Sequence, residues 1–423
     1  MERYPAGAAG LLEVDACVVG GGPAGLVAGA LLARAGVKVV VLEKHADFLR
    51  DFRGDTIHPS TLEVLSELGW LEAFLERPHD RAETLTGTFG GVRFVLADFR
   101  HLPTRCRFIA FVPQWEFLDF VADQAAAYPT FALEMNAEVT ELVRDGASIG
   151  GVRALTPSGP LEVRARLVIG ADGRHSKVRE LSGLEIRDFG APMDVLWMRL
   201  SSRPDDPRDP MGHFAPGRIF VMINRGAYWQ CGYVIPKGGI DELRRRGIEA
   251  FRAAVAEAAP LFQGRVDELA SFEDVKLLTV AVNRLPRWHQ PGLLCIGDAA
   301  HAMSPIGGVG INLAIQDAVA AANRLAPILR RGSPTSADLA AVQRRRELPT
   351  RVTQRVQLAV QNGVIGRVLG ARTPSRPPLA LRLLGRWPFL RRIPARLVGI
   401  GVRPEHVSAD RRASSPETER AAP

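Results

Sequence analysis

The sequence predicts an α/β fold, and two segments near opposite ends of its 423 residues support that prediction. Residues 14–43 are typical of a strand, a glycine-rich turn, a helix and a second strand that closes on Glu43. Residues 293–312 are typical of an apolar strand that ends at Gly297 and continues through a Pro/Gly turn into a helix from about Asn312. In α/β proteins, the turn after the carboxyl end of a strand is a common place for a nucleotide.

The first segment carries the spacing G-x-G-x-x-G directly after its strand. Gly20, Gly22 and Gly25 occupy the three glycine positions. The first glycine allows a tight turn, the second lets the backbone approach a pyrophosphate, and the third lets helix and strand pack closely. Glu43 follows Gly20 by 23 residues, where an acid can accept hydrogen bonds from ribose hydroxyls. These features together predict a dinucleotide site.

The second segment offers an acid beside a row of backbone N–H groups. Asp298 suits a sugar-like hydroxyl, and the N–H groups of residues 307–310, with the dipole of the following helix, suit an electron-rich ligand edge. A dinucleotide with a redox-active ring needs both contacts. The alternative is a glycine-rich connection between a buried strand and a packing helix. The independent signature at residues 20–43 favours the nucleotide.

A third segment lies between the first two. Residues 161–169 are expected to form a strand that delivers Asp172 into a turn, with Ser176 and Arg179 one helical turn apart. This arrangement is typical either of a polar cluster at a strand end or of a capped helix start. The residues alone leave both interpretations open.

Composition is that of a soluble enzyme. The hydrophobic content is 46%, and the length allows two domains that share a core. The N-terminus lacks a signal-peptide core, so a cytoplasmic location is expected. Four cysteines lie far apart and form no metal or redox pair, so no metal site is expected.

The net charge of +8 is concentrated at one end of the chain. Residues 367–423 contain twelve arginines and four acids, which accounts for the whole excess. The first 366 residues therefore carry no net charge, and no nucleic-acid partner is expected.

The C-terminal basic arm, residues 377–402, mixes leucines, Trp387, Phe389 and isoleucines with arginines. Such a segment could make weak contact with an anionic membrane surface. The favoured alternative is an arm that packs on the core with its arginines solvated. Residues 408–423 are expected to form a disordered tail.

The three motifs, in this order and at these separations, resemble those of the class A flavoprotein monooxygenases, the para-hydroxybenzoate hydroxylase family. The resemblance covers about residues 14–360. It implies an FAD-binding Rossmann-type domain, similar to that of glutathione reductase, with an inserted mixed-sheet substrate domain and C-terminal helices. The implied division is FAD-binding parts at 1–75, 108–185 and 286–332, substrate-domain parts at 76–107 and 186–285, helices with the basic arm at 333–407, and the tail at 408–423.

The resemblance also implies roles for individual residues. Arg53 would contact the FAD phosphates and ribityl chain, Gln114 the flavin, and Asp298 the ribityl hydroxyls. Asp172 would be shared between FAD support and the nicotinamide approach. The implied cofactor-binding set is Gly20, Gly22, Gly25, Glu43, Arg53, Gln114, Asp172, Asp298, Gly308, Gly310 and Asn312, with Pro305, Gly307 and Gly308 beside the flavin ring. Ser304 departs from the family, in which many members have a second proline there.

The implied chemistry is hydroxylation. NADH or NADPH reduces FAD, dioxygen adds to the flavin, and the hydroperoxide transfers OH to an aromatic, quinone or polyketide-like small molecule. No second G-x-G-x-x-G follows an expected strand, so the nicotinamide cofactor would bind only transiently. The flavin is the reactive group, and no catalytic nucleophile is required.

The substrate would lie under the mixed sheet. Strands at 195–200, 219–224 and 229–236 alternate, so that one face of each could line a pocket. The candidate lining residues are Trp197, His213, Trp229 and Tyr233, and for each of them ordinary core packing is the alternative.

Two other functions remain as alternatives. A flavin-dependent halogenase shares the fold, and residues 229–236 end in Ile-Pro like its tryptophan signature. This chain lacks the paired tryptophans, and it has no lysine between Lys44 and Lys177, where a halogenase needs one. A nucleotide-binding protein without turnover is the second alternative, and the complete set of Gly, Glu43 and Asp298 positions disfavours it.

Overall fold

The computed structural model describes residues 10–49, 56–207, 210–371 and 377–408. Its helices are α1 (Pro23–Arg34), α2 (Pro59–Leu68), α3 (Leu71–Leu75), α4 (Gln114–Ala125), α5 (Lys177–Ser182), α6 (Ile240–Arg246), α7 (Ile248–Ala258), α8 (Gly310–Leu329), α9 (Ser336–Val360), α10 (Gly366–Gly370), α11 (Leu379–Arg386) and α12 (Arg392–Gly399). A π-helical turn, Gln361–Ile365, joins α9 to α10.

The strands are β1 (Leu11–Val19), β2 (Val39–Leu42), β3 (Thr56–Ile57), β4 (Asp80–Ala82), β5 (Thr84–Phe89), β6 (Val92–Asp98), β7 (Ile109–Phe111), β8 (Phe131–Glu134), β9 (Glu138–Asp145), β10 (Ser148–Thr156), β11 (Gly159–Gly170), β12 (Arg187–Asp188), β13 (Met193–Ser201), β14 (Met211–Ala215), β15 (Arg218–Asn224), β16 (Tyr228–Pro236), β17 (Lys276–Leu278), β18 (Asn283–Arg284), β19 (His289–Gln290), β20 (Leu293–Cys295) and β21 (His301–Ala302).

An eight-stranded sheet forms the centre of the larger layer. Its order is β19-β20-β11-β1-β2-β8, and β10 and β9 extend it from β11. β1 pairs in parallel with both β11 and β2, which aligns their carboxyl ends at one edge. Residues 16–19 of β1 are all buried, as expected for a parallel strand covered on both faces. Helices α1 and α8 pack together on this sheet.

A seven-stranded mixed sheet forms the second layer. Its order is β17-β13-β16-β15-β14-β5-β6, and its strands come from residues 84–98 and 193–278. One face packs on α7 in a cluster that includes Phe251 and Val255. The opposite face packs against Ile306 and the segment 364–369. We call this second surface the inner face, because it turns toward the larger layer.

The mixed α/β fold with C-terminal helices is confirmed. The three expected substrate-domain strands occur as β13, β15 and β16, and the division into domains stays a prediction. Two boundaries differ locally: β20 ends at Cys295, and α8 begins at Gly310. Apart from Ser408, the tail at 408–423 lies outside the described residues.

Candidate active site

Of the three motif glycines in the turn after β1, only one borders space that a ligand could fill. Gly20 has a φ of +103°, and a Cβ there would lie 2.5 Å from the Ala171 carbonyl oxygen. A Cβ at Gly25 would lie 1.9 Å from the Gly20 carbonyl oxygen. A Cβ at Gly22 would have no atom within 4 Å, so this residue borders open space at the start of α1.

The start of α1 is suited to a pyrophosphate. Gly22 is the N-cap and offers no side chain to the first N–H groups of the helix. Those groups and the helix dipole attract an anion. The open space at Gly22, bounded by the crowded Gly20 and Gly25, therefore fits the phosphates of FAD.

Glu43 is held beside this turn. Its Oε2 accepts a hydrogen bond from the Gly21 N–H at 2.8 Å, and its Oε1 accepts one from the His45 N–H at 3.1 Å. The residue is buried at the end of β2. The carboxylate is therefore fixed beside the turn, and its contact with a ribose stays a prediction.

The turn that contains Asp298 meets α1. Gly297 has a φ of +58°, and a Cβ there would lie 3.1 Å from the Cβ atoms of both Ala24 and Ala314. Asp298 is partly exposed, and its Oδ2 lies 3.4 Å from an Arg174 guanidinium nitrogen. The Asp298 turn thus lies against the start of α1, and a cofactor site bordered by both segments stays a prediction.

Asp172 caps α5. Its Oδ1 accepts a hydrogen bond from Ser176 Oγ at 2.5 Å, and its Oδ2 accepts one from the Val178 N–H at 3.0 Å. Burial raises the pKa of this carboxyl group. The capped helix start, one of the two interpretations of this segment, describes what the Asp172 side chain does. A direct contact with the cofactor stays a prediction.

Residues 305–308 form the loop that faces the mixed sheet. Gly307 and Gly308 have φ values of +77° and +63°, which favour glycine. The Gly308 carbonyl oxygen accepts hydrogen bonds from Thr56 Oγ1 at 3.2 Å and from the Asn312 amide at 3.3 Å. A Cβ at Gly308 would lie 2.5 Å from Thr56 Oγ1, and the Gly308 N–H donates to the Pro305 carbonyl at 3.1 Å. A Cβ at Gly307 would meet only side-chain atoms at 3.6 Å, so Gly307 is the more open of the two glycines. Backbone N–H groups in such a loop suit the edge of a flavin ring.

The Asn312 side chain is used by the protein itself. Its Oδ1 accepts hydrogen bonds from the His58 N–H at 2.9 Å and from Thr61 Oγ1 at 2.7 Å, and its amide donates to the Thr56 carbonyl. The side chain therefore ties α8 to the start of α2. The side chain thus has a positioning role, and a cofactor contact of Asn312 through its backbone stays a prediction.

Helix α9 presents a row of buried polar residues that sequence reasoning missed. Gln357 accepts from the Ser304 N–H at 3.1 Å and donates to the carbonyls of Ser304 and Ile306 at 2.9 and 3.0 Å. Gln354 donates to the carbonyls of Asn283 and Ala302 at 2.8 and 3.1 Å. These amides hold the backbone that leads into residues 305–308. Their helical spacing was the available signal.

A buried network of charged and polar side chains supports the turn that contains Asp298. Asp317 Oδ2 accepts from the Gly297 N–H at 3.2 Å and lies 2.5 Å from His301 Nε2. Asp317 Oδ1 accepts from Arg346 Nε at 2.9 Å, and Arg346 reaches Glu405 at 3.3 Å. Asp317, His301 and Arg346 are at most 1% exposed. His301 is thus part of the supporting structure.

The inner face of the mixed sheet has a flat aromatic surface. Strand pairing aligns Trp197, Gly232, Val221 and Gly212 in one row across four strands. A Cβ at Gly232 would lie 3.1–3.4 Å from three atoms of the Trp197 ring, so the ring lies over that glycine. A Cβ at Gly212 would lie 3.2 Å from the Phe214 ring. Both aromatic residues share a cluster with Ile306 of the loop.

Three of the four predicted pocket residues lie on the other face. Trp229 is fully buried against Phe262 and donates to Asp206 at 2.7 Å. Tyr233 packs on Phe251 of α7. These two assignments to the pocket are wrong, because both rings fill the core beneath the sheet.

His213 is the third predicted pocket residue on the face that packs on α7. It pairs directly with Phe220 of that same core, and directly opposed residues share a face. Its assignment to the pocket is therefore also wrong, and Trp197 is the candidate that faces residues 305–308.

The remaining predicted residues are placed only in part. Gln114 is the first residue of α4, and Pro305 and Gly310 flank the loop. Arg53 lies outside the described residues. Within the described ranges, no group of His, Cys, Asp or Glu residues could hold a metal ion. In those same ranges, no helix has the length and apolar character needed to cross a membrane.

Comparison with known proteins identifies the family. Residues 13–356 match the family described as FAD binding domain. The chain is 35% identical over 399 residues to 6-methylpretetramide 4-monooxygenase of Streptomyces rimosus, which covers 93% of this chain and 95% of that protein. It is 30% identical over 319 residues to rifampicin monooxygenase of Streptomyces venezuelae, which covers 72% of this chain and 62% of that protein.

A solved structure shares the fold. OxyS anhydrotetracycline hydroxylase from Streptomyces rimosus matches with a TM-score of 0.72 and 25% identity, over 92% of this chain and 76% of that chain. The glycine turn, Glu43 and the Asp298 segment all lie within the matched family region. The chain therefore belongs to the FAD binding domain family and is an FAD-dependent monooxygenase of the aromatic-hydroxylase class.

Proposed function

We propose that this protein hydroxylates a planar, fused-ring aromatic or polyketide-like compound, with NADH or NADPH as reductant and dioxygen as oxidant. The observation that carries the proposal is the aromatic surface of Trp197 and Phe214, each lying over a glycine and sharing a cluster with Ile306. Flat aromatic surfaces bind planar rings by stacking. Relatives that act on 6-methylpretetramide and rifampicin support the polyketide-like class.

The chain holds FAD with backbone groups and two acids. In this proposal, the start of α1 beside Gly22 binds the pyrophosphate, Glu43 the ribose and Asp298 the ribityl hydroxyls. The backbone of Gly307 lies beside the flavin edge, and Gly308 shapes this loop through the hydrogen bond from its N–H to the Pro305 carbonyl. FAD, when bound, supplies the redox chemistry with the nicotinamide cofactor and dioxygen. Contacts from Arg53, Gln114 and Asp172 are part of the same proposal.

The mixed sheet orients the substrate and excludes water. Trp197, Phe214 and Ile306 belong to one apolar cluster, which the segment 364–369 closes from the side. A dry, shaped space protects a reactive oxygenated cofactor from water and fixes which ring carbon it meets. The substrate ring therefore lies against the inner face, with the atom to be oxidised toward residues 305–308.

Substrate selectivity tests this proposal. Protein carrying Trp197→Ala is compared with wild type on a single-ring phenol and on a series of fused-ring phenols, with product formation and FAD content measured. Loss of stacking is expected to raise KM for the fused-ring substrates about 2- to 10-fold. KM for the single-ring substrate and FAD content are expected to change little.

The matched control is Trp229→Phe, on the opposite face, which is expected to leave the ratio of the two KM values unchanged. Wild-type protein that takes up no FAD would contradict the proposal, as would an equal effect of Trp197→Ala on both substrate types. A chlorinated product that requires chloride would favour the halogenase alternative.

A further inference from the structure

The C-terminal basic arm exposes a cluster of large apolar side chains. Leu379, Trp387, Phe389 and Ile393 are 66%, 48%, 62% and 66% exposed. They lie within fifteen residues of one another, whereas the other large exposed apolar side chains of the described ranges are scattered along the chain. Helix α11 has no buried residue at all. Exposed apolar clusters of this kind mark interaction surfaces.

The same surface is strongly basic. Residues 377–402 contain five arginines and no acid. The nearest acid that follows, Glu405, is buried and bound to Arg345 and Arg346. The charge of the arm is therefore not neutralised from within its own sequence. A partner for this surface must combine an apolar interior with a negatively charged boundary.

The arm is anchored to the inner-face side of the protein. Helices α11 and α12 contact β6, the edge strand of the mixed sheet. Ala395 and Ile400 are buried in a small core with Phe99. Leu381 of α11 packs on the cluster that contains Trp197 and Ile306. One side of α11 and α12 therefore packs on the protein, and the exposed apolar side chains lie on the opposite, outer side.

We propose that the outer side of α11–α12, with Trp387 and Phe389 at its centre, docks on the surface of an anionic lipid bilayer. Short amphipathic helices with arginines and large apolar residues insert shallowly at the headgroup boundary and are attracted by anionic lipids. A second copy of the chain is a poorer occupant, because pairing this face with itself would bring arginine against arginine. If the proposed function holds, docking brings the substrate face close to a reservoir of lipophilic ring compounds.

Vesicle sedimentation tests the docking. The full-length holoprotein is spun with phosphatidylcholine vesicles that contain or lack phosphatidylglycerol, at low and high salt. Binding is expected with the anionic vesicles only and is expected to weaken as salt rises. The variant Arg382→Gln/Arg392→Gln is expected to bind about 25-fold more weakly, at about fivefold per arginine. Trp387→Ser/Phe389→Ser is expected to bind weakly as well.

The matched control is Leu155→Ser, which removes an apolar side chain of similar exposure (54%) on β10, away from the arm. It is expected to bind like wild type. Absence of binding to anionic vesicles would overturn the proposal. So would a concentration-dependent dimer that Trp387→Ser/Phe389→Ser abolishes, since a second copy would then cover the face.

FAD content and NADPH consumption, measured without vesicles, keep this test separate from the proposed function. Vesicle binding by a preparation without hydroxylase activity would leave the docking surface standing and remove only the proposed function. Hydroxylase activity without vesicle binding would leave the proposed function standing and overturn only the docking surface.

Discussion

In the turn after β1, we expect some glycines to be needed for folding and another for cofactor binding, because the space around each Cβ position differs. A Cβ at Gly25 would collide with the Gly20 carbonyl at 1.9 Å, and backbone on both sides of that contact has little freedom to move. Gly22 has a φ of −74° and borders open space. Closely spaced glycines of one motif therefore have different physical requirements.

Two alanine variants test this distinction. Gly25→Ala is expected to destabilise the protein by at least about 2 kcal/mol, because the helix must move away from the strand. Gly22→Ala is expected to change stability by less than about 0.5 kcal/mol, since alanine adopts its backbone conformation without a clash. It is nevertheless expected to lose FAD, because its methyl group enters the phosphate space.

Chemical unfolding of the apoproteins and fluorescence titration with FAD measure the two effects. Gly25→Ala that unfolds like wild type would show that the turn relaxes easily. Gly22→Ala that keeps wild-type affinity for FAD would contradict the placement of the pyrophosphate at the start of α1.

Among the helices, α9 supports the candidate active site indirectly, through the backbone and side chains that form it. Its buried side chains bind the backbone at residues 302–306 and the Asp298 turn through Asp317. Arg345 and Arg346 are neighbours on this helix and both reach Glu405. Only Arg346 also binds Asp317, and it is 1% exposed, whereas the Arg345 side chain is 29% exposed.

This neighbouring pair predicts unequal costs. Arg346→Met is expected to destabilise the protein by about 3–5 kcal/mol, because it removes a partner from a buried carboxylate. It is also expected to weaken FAD binding, since Asp317 holds the Gly297 N–H. Arg345→Met is expected to cost less than about 1 kcal/mol, as for other partly exposed pairs. Equal losses in denaturant unfolding would contradict a special role for the Asp317 contact.

The cost of Arg346→Met is also expected to depend on pH. Burial alone would raise the pKa of Asp317, but His301 and Arg346 hold it below its ordinary value of about 4. A carboxyl group with a lowered folded-state pKa stabilises the fold fully above its ordinary pKa and loses this effect as pH falls through the folded-state value. The difference in unfolding free energy between wild type and Arg346→Met is therefore expected to shrink in acidic buffer.

For the molecule as a whole, the sequence predicts those features that depend on residues close together in the chain. The turn from Gly20 to Gly25, Glu43 and Asp298 are set by strand ends and glycine spacing, which a short window of sequence contains. The same holds for the approximate bounds of β13, β15, β16 and α8. The family motifs then relate segments that lie far apart in the chain.

What could not be predicted depends on contacts between distant elements. Both faces of the mixed sheet are covered, so β13 and β16 are apolar on both sides, and alternation does not show which face meets the cofactor loop. Trp197 and Trp229 therefore look equivalent in sequence, although they lie on opposite faces. The links from Gln357 to Ser304 and from Arg346 to Asp317 span 53 and 29 residues, and no local pattern pairs them.

The origin of the inserted oxygen tests whether this protein transfers oxygen from dioxygen to a ring substrate. FAD-loaded protein, NADPH and a fused-ring phenol are mixed under oxygen-18 gas, and the product is analysed by mass spectrometry. We expect a product that carries one labelled oxygen atom from dioxygen. A product whose new oxygen comes from water, or NADPH consumption that yields only reduced oxygen with every fused-ring substrate, would contradict it.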